Sequence, residues 1–203
     1  MQRTYTYLAL GDSYTIGEAV LLQESFPYQT VQLLRKEGYK VAAPEVIART
    51  GWTTSELQTA MVGYQFAPKY DFVSLLIGVN NHYRGQSIVA YKEEFEALLN
   101  KGIELAGGKT AHCFVLSIPD YSVTPFAREK DVAKISKEID AYNNLKKALC
   151  IQYKVPYLEI TADFRKAKAK EDYIAPDGLH PSAKVYAKWA KKLSGAMGKL
   201  AKK

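Results

Sequence analysis

Two cysteines in 203 residues make no disulfide framework, and Cys113 and Cys150 have no metal-binding spacing. Cys113 falls inside the apolar run CFVLSI and Cys150 near the apolar stripe of a helical segment, so both read as reduced, buried residues. Histidine is as scarce. His82, His112 and His180 stand singly, which speaks against a structural zinc site. No apolar run approaches the roughly 18 residues needed to span a bilayer, so integral membrane association is not expected. The N-terminus carries one early arginine, Arg3, and a hydrophobic stretch broken by Thr6, too short and poorly flanked for a signal peptide. The chain as it stands reads as cytoplasmic; one that had lost a leader would read as periplasmic or secreted.

Acidic residues are missing from one place only. Between Pro181 and Lys203 there are seven lysines and no aspartate or glutamate, and the remaining 21 basic residues balance 21 acidic ones. The formal charge of +7 therefore sits on the last element. Tyr186, Ala190, Leu193, Met197 and Leu200 repeat there at helical spacing, with Lys184, Lys188, Lys191 and Lys192 on the other side. The aromatic Tyr186 falls on the apolar side and not among these lysines, so a solvated helix face is expected rather than a nucleic-acid or membrane patch.

What is present is a soluble globular composition, 47% hydrophobic and 12% aromatic, at a length that fits one domain over residues 1–203. Short runs rich in β-branched and aromatic residues predict strands at Tyr5–Leu10, Lys40–Ala48, Phe72–Ile77, Ala111–Ile118 and Val155–Ile160. Amphipathic segments alternate with them. Ile88, Tyr91, Phe95, Leu98, Leu99 and Ala106 mark one helix face, and Ile135, Ile139, Tyr142, Leu149 and Tyr153 another. Thr53-x-x-Glu56 has the form of a capping box, so a helix should begin just after Gly51-Trp52. The alternation predicts a three-layer α/β/α fold on a five-stranded parallel sheet. Pro44 inside the second candidate strand argues for an edge position, which suits the flavodoxin-like order 2-1-3-4-5. The basic run from Arg165 to Asp172 reads as an exposed loop or short helix.

In open parallel sheets ligands bind beyond the carboxyl ends of the strands. Ser13 follows the first candidate strand, Gly51 the second and Asn80-Asn81 the third, while Asp177 and His180 stand just ahead of the last helix. These types belong together in acyl transfer. A serine hydroxyl needs a base near neutrality, for which His180 is the candidate, and the imidazole needs a carboxylate to hold its tautomer, for which Asp177 is in reach. An oxyanion needs donors, and the N–H groups of Ser13 and Gly51 with the amide of Asn80 would supply three. Taken alone, Gly-Asp-Ser is also an ordinary turn. His112, in an apolar run, reads as a core histidine. His82 is the rival base, but no acidic partner lies near it in sequence. Glu93, Glu94 and Glu96 read as surface charge, not as a glycosidase pair.

The blocks GDSYT, RTGWT, GVNN and DGLHPS, in this order along the chain, resemble those of the SGNH/GDSL hydrolases. The resemblance implies an α/β/α esterase, lipase, thioesterase or carbohydrate deacetylase that needs no metal or other cofactor. It implies Ser13 as nucleophile, Asp177 and His180 as its triad partners, and Ser13, Gly51 and Asn80 as the oxyanion hole. Two positions depart from the pattern. Asn81 stands where the family usually has aspartate, which touches a loop hydrogen bond and not the donor Asn80, and Tyr14 stands where an aliphatic residue is common. The expected function is a serine esterase for short acyl groups on a small-molecule, carbohydrate or lipid ester, with a carbohydrate deacetylase, or a lysophospholipase or thioesterase, on the same site as the alternative. A non-catalytic binding module on the same fold is the alternative from another class. Trp52, Tyr83, Tyr121 and Phe126 follow strand ends and are candidates to line a shallow site.

Overall fold

A computed structural model describes residues 3–168 and 172–201. In chain order the elements are β1 (Tyr7–Asp12), α1 (Ser13–Ile16), α2 (Phe26–Lys36), β2 (Glu45–Arg49), α3 (Thr54–Val62), β3 (Phe72–Leu76), α4 (Val79–Tyr83) and α5 (Ile88–Leu105). They continue with β4 (Cys113–Leu116), α6 (Val132–Tyr153), β5 (Tyr157–Leu158), α7 (Thr161–Ala167) and α8 (Ala183–Ala201). The five strands form one parallel sheet in the order β2-β1-β3-β4-β5. Every residue of β1, β3 and β4 is buried, as in strands covered on both faces, whereas β2 at the edge is only partly covered.

Right-handed crossovers decide where the helices go. The chain moves one way from β1 to β2 and the other way through the remaining strands, so the connections fall on opposite faces. Packing follows this division, with α2 against α8 and with α3, α5 and α6 in succession. On α8 the residues Val185, Tyr186, Trp189, Leu193 and Met197 are buried, while Lys184, Lys188, Lys191 and Lys192 are exposed, as the lysine pattern predicted. The capping box also forms: Thr53 N–H donates to Glu56 at 2.8 Å, and the Thr53 hydroxyl accepts from Glu56 N–H at 3.4 Å.

Strand limits differ from the sequence expectation for local reasons. β1 runs two residues further, through Gly11 and Asp12, because both stay in register with β2. The stretch from Lys40 to Pro44 is outside the ladder apart from a bridge between Tyr5 and Val41, so Pro44 precedes the edge strand instead of lying within it. Ahead of β4, Thr110–His112 is a short turn of 3-10 helix, and β5 keeps only two paired residues. The basic run is also not simply exposed. Arg165 lies in α7, where it pairs with Asp120 at 2.7 Å and Asp140 at 2.9 Å; residues 169–171 of that run lie outside the described residues.

Candidate active site

The turn from β1 into α1 places Ser13 at the first helical position. Asp12 caps the helix by accepting Tyr14 N–H at 3.0 Å, and Gly17, in the left-handed region at φ 78°, ends it after one turn. Only glycine fits at residue 11, since a Cβ there would collide with the Thr15 side chain and the Leu76 carbonyl of the neighbouring strand. The serine is thus fixed by the tight glycine turn and the Asp12 cap, at the carboxyl edge of the sheet.

His180 arrives from the other end of the chain. Asp177 Oδ1 accepts the N–H groups of both Leu179 and His180 at 3.0 Å, and Ala175 N–H binds the His180 carbonyl at 2.8 Å, so the loop ahead of α8 is closed on itself. The other carboxylate oxygen of Asp177 stands 2.5 Å from His180 Nδ1, and His180 Nε2 stands 2.9 Å from Ser13 Oγ. An ionised carboxylate only accepts, so Nδ1 carries the ring proton and Nε2 is the acceptor for the serine hydroxyl. Partial burial works to raise the Asp177 carboxyl, but the His180 ring and the two N–H groups outweigh it and hold it below the ordinary carboxylate range. The ring of Tyr14 meets that of His180 edge-on, with centroids 5.2 Å apart.

Ser13, His180 and Asn80 share the wall of one cavity of about 120 Å3, closed otherwise by Tyr14, Val79, Leu179, Tyr83, Tyr121 and Phe126. Asn80 Nδ2 donates to the Trp52 carbonyl at 2.9 Å, which ties the α4 turn to the loop after β2. Gly51, at φ 82° where glycine is favoured, does not line the cavity. Its carbonyl accepts Arg84 Nη2 at 2.6 Å, and Arg84 also reaches Glu56 at 3.2 Å. Trp52 is likewise absent from the lining and packs partly buried against the core. Such an arrangement suits nucleophilic acyl transfer, with a hydroxyl, a base and a carboxylate in one hydrogen-bonded line.

Several side chains do more than the sequence suggested. Asn81 is wholly buried and makes the loop hydrogen bond that its departure from the family pattern put in question, accepting Thr54 N–H at 3.1 Å. Glu94 accepts from the Thr54 hydroxyl and Glu96 from Tyr153 at 2.5 Å, so neither is a free surface charge. His82 has an acidic partner after all, Glu138 of α6 at 2.8 Å. His112 is the core histidine expected, bonded to the Asp71 carbonyl at 2.8 Å and stacked on Phe72. Lys146, unremarked in the sequence, is fully buried on α6, where its ammonium donates to the carbonyls of Leu116 at 2.7 Å and Ile77 at 3.3 Å.

The sequence profile of the GDSL-like lipase/acylhydrolase family matches residues 9–188, most of the chain. The chain belongs to that family. It is accordingly a carboxylic ester hydrolase. Among curated proteins, the spore germination lipase LipC of Bacillus licheniformis is 27% identical over 214 residues, covering 95% of this chain and 96% of that one. Among solved structures, the acetylxylan esterase Axe2 of Geobacillus stearothermophilus superposes with a TM-score of 0.72 at 20% identity, over 96% of this chain and 94% of its own. The esterase EstA of Pseudoalteromonas gives 0.68 at 15% identity, over 98% and 100%. At these identities the structural likeness speaks for the fold, and the GDSL assignment rests on the family profile. No helix among the described residues is long and apolar enough to cross a membrane.

Proposed function

We propose that this GDSL hydrolase, with residues 1–203 as one catalytic domain, is a serine esterase that removes short acyl groups. Ser13 Oγ attacks the ester carbonyl as His180 Nε2 takes its proton, and Asp177 stabilises the imidazolium that results. The tetrahedral oxyanion is met by the N–H group of Ser13 and the side-chain amide of Asn80, both on the cavity wall, while Gly51, the third donor the sequence suggested, stands outside that wall. Collapse breaks the ester C–O bond, and His180 returns the proton to the departing alcohol. Water then attacks the acyl-serine with His180 again as base, releasing the carboxylic acid and restoring the hydroxyl.

The observation that carries this reading is the line Ser13–His180–Asp177, at 2.9 and 2.5 Å, ending at a cavity of about 120 Å3. Labelling with a fluorophosphonate tests it. Wild type should be labelled at Ser13 and lose activity in proportion, and Ser13→Ala should neither label nor turn over. A wild-type protein that takes no label would leave the binding-module reading in place.

A second reading is favoured by the cavity mouth, where Tyr83 and Phe126 remain 52% and 41% exposed. Apolar rings in that position suit stacking on a sugar, and a small cavity suits an acetyl group. On this reading the alcohol released is a carbohydrate, as with the acetylxylan esterase of the same fold. Release of acetate from acetylated oligosaccharides, measured beside simple acetate esters, separates the two.

A further inference from the structure

Tyr121 is the buried member of the aromatic trio on the cavity wall. Its backbone is fixed through Asp120, whose carboxylate accepts from Ser122 N–H at 2.9 Å, Ser136 Oγ at 2.7 Å and Arg165 Nε at 2.7 Å. Its hydroxyl is fixed from the other side, 3.3 Å from His82 Nδ1. His82 Nε2 faces Glu138 at 2.8 Å; because the carboxylate accepts, Nε2 carries the proton and Nδ1 accepts from the phenol. The imidazole is itself enclosed, with Tyr142 edge-on at 5.7 Å. Tyr121 then meets Tyr83 at 6.2 Å and Phe126 at 6.3 Å, both edge-to-face, so its placement sets theirs.

The bond between Tyr121 and His82 is also a partition. Tyr121 lines the cavity beside Ser13, while His82 and Glu138 line a separate cleft of about 330 Å3. We propose that His82 and Glu138 are positioning residues for acyl-chain selection, holding Tyr121 by its hydroxyl so that the wall beside Ser13 cannot swing back toward the outer cleft. The proposal rests on the reading of the cavity as the acyl site. A ring tethered at backbone and tip excludes a long chain; one tethered at the backbone alone yields to it.

The test is a ladder of p-nitrophenyl esters, acetate to octanoate, run on His82→Ala, Tyr121→Phe, Glu138→Ala and Glu138→Gln. The octanoate-to-acetate ratio of kcat/KM should rise by roughly 2–10-fold in the first three, the size that one ordinary hydrogen bond carries. The rise should come through a lower KM for octanoate. Glu138→Gln keeps an acceptor oxygen for Nε2–H and should keep the wild-type ratio, which a merely structural role for the carboxylate does not require. An unchanged ratio in Glu138→Ala, whose side chain is half-exposed and replaceable without a core defect, overturns the proposal even if His82→Ala fails to fold. Ser13→Ala keeps the two readings apart. Hydrolysis that survives it sinks the acyl-site reading and the wall with it, whereas lost hydrolysis with unchanged ratios sinks the wall alone.

Discussion

Asn81 of α4 and Glu94 of α5 face each other at 3.5 Å, amide nitrogen to carboxylate oxygen, next to Asn80 and its bond to the Trp52 carbonyl. The same Nδ2 reaches the Thr54 hydroxyl at 2.5 Å and Gln86 Oε1 at 2.7 Å, so every oxygen near it is served by a donor. An aspartate would remove that donor and set a second carboxylate beside Glu94. Asn81→Asp should therefore destabilise the fold by about 1–3 kcal/mol near neutral pH. Urea melts should show the loss shrinking in acid, as the added carboxyl takes a proton, and shrinking also in the double variant with Glu94→Gln.

Asp177 sits below the ordinary carboxylate range, so it stays ionised where a histidine changes charge, between about pH 5 and 8. Asp177→Asn should cut kcat on the order of 10³–10⁴-fold by letting the ring take the wrong tautomer. Its stability effect has a definite sign. A depressed folded pKa contributes stability above the unfolded value and loses it as pH falls through the folded one, so wild type and Asp177→Asn should converge in strong acid. Melting curves from pH 7 to 2.5 check this, and a gap that widens in acid would contradict it.

What the sequence disclosed and what it hid follow from the range of the interactions. Ser13 and Asn80 were legible because a parallel sheet collects residues that follow its strand ends, and His180 because Asp177 stands three residues before it just ahead of the last helix. The fold was legible from alternation; the edge place of β2 was inferred from Pro44, which precedes that strand instead of lying in it. The strand limits were not, since Lys40–Pro44 has strand-like residues but little ladder to join. Glu138 is 56 residues from His82, and nothing local joins α4 to α6. Lys146 lies on the buried stripe between Tyr142 and Leu149 at helical spacing, which was a usable signal. A lysine in a helix is normally taken to reach solvent, and that expectation concealed it.

Asn80 donates an amide hydrogen to the Trp52 carbonyl and lines the cavity. Asn80→Ala should lower kcat roughly 10²–10³-fold with little change in KM, as expected of a donor used mainly in the transition state. Steady-state kinetics on an acetate ester decide it. A rise in KM at constant kcat would make Asn80 a ground-state binder instead.

Lys146 is fully buried, and burial pushes its ammonium down to about 7, with Cys150 and Asp12 opposing. Folding therefore releases a proton from it between about pH 7 and the pKa of an ordinary lysine. A folded pKa below the unfolded one makes stability rise with pH across that window, by at most about 1.4 kcal/mol per pH unit. Lys146→Met should remove this rise. Burial raises the thiols of Cys113 and Cys150, and ionisation of the unfolded thiols opposes the rise in both proteins, so chemical denaturation at pH 7, 8 and 9 should give wild type a more positive slope than the variant. Equal slopes would mean that the ammonium stays charged inside the fold.

Chain length is where the cavity makes the sharpest claim. Its volume of about 120 Å3 is well below the roughly 300–1,000 Å3 of pockets that enclose drug-sized ligands, and Tyr83, Tyr121 and Phe126 form part of its wall. An acetyl or butyryl group can be covered there. A longer chain must leave over the exposed faces of Tyr83 and Phe126, where each added methylene gains much less than the roughly 0.8 kcal/mol of full burial. The gain per carbon should thus fade beyond about butyrate, while the cost of ordering the tail continues to grow. On dilute, monomeric p-nitrophenyl esters, kcat/KM should peak at two to about four acyl carbons and decline toward decanoate, with KM no longer falling. A steady increase through octanoate and decanoate would show that the aromatic wall yields to the chain, and would turn the assignment toward lipids or thioesters with long acyl groups.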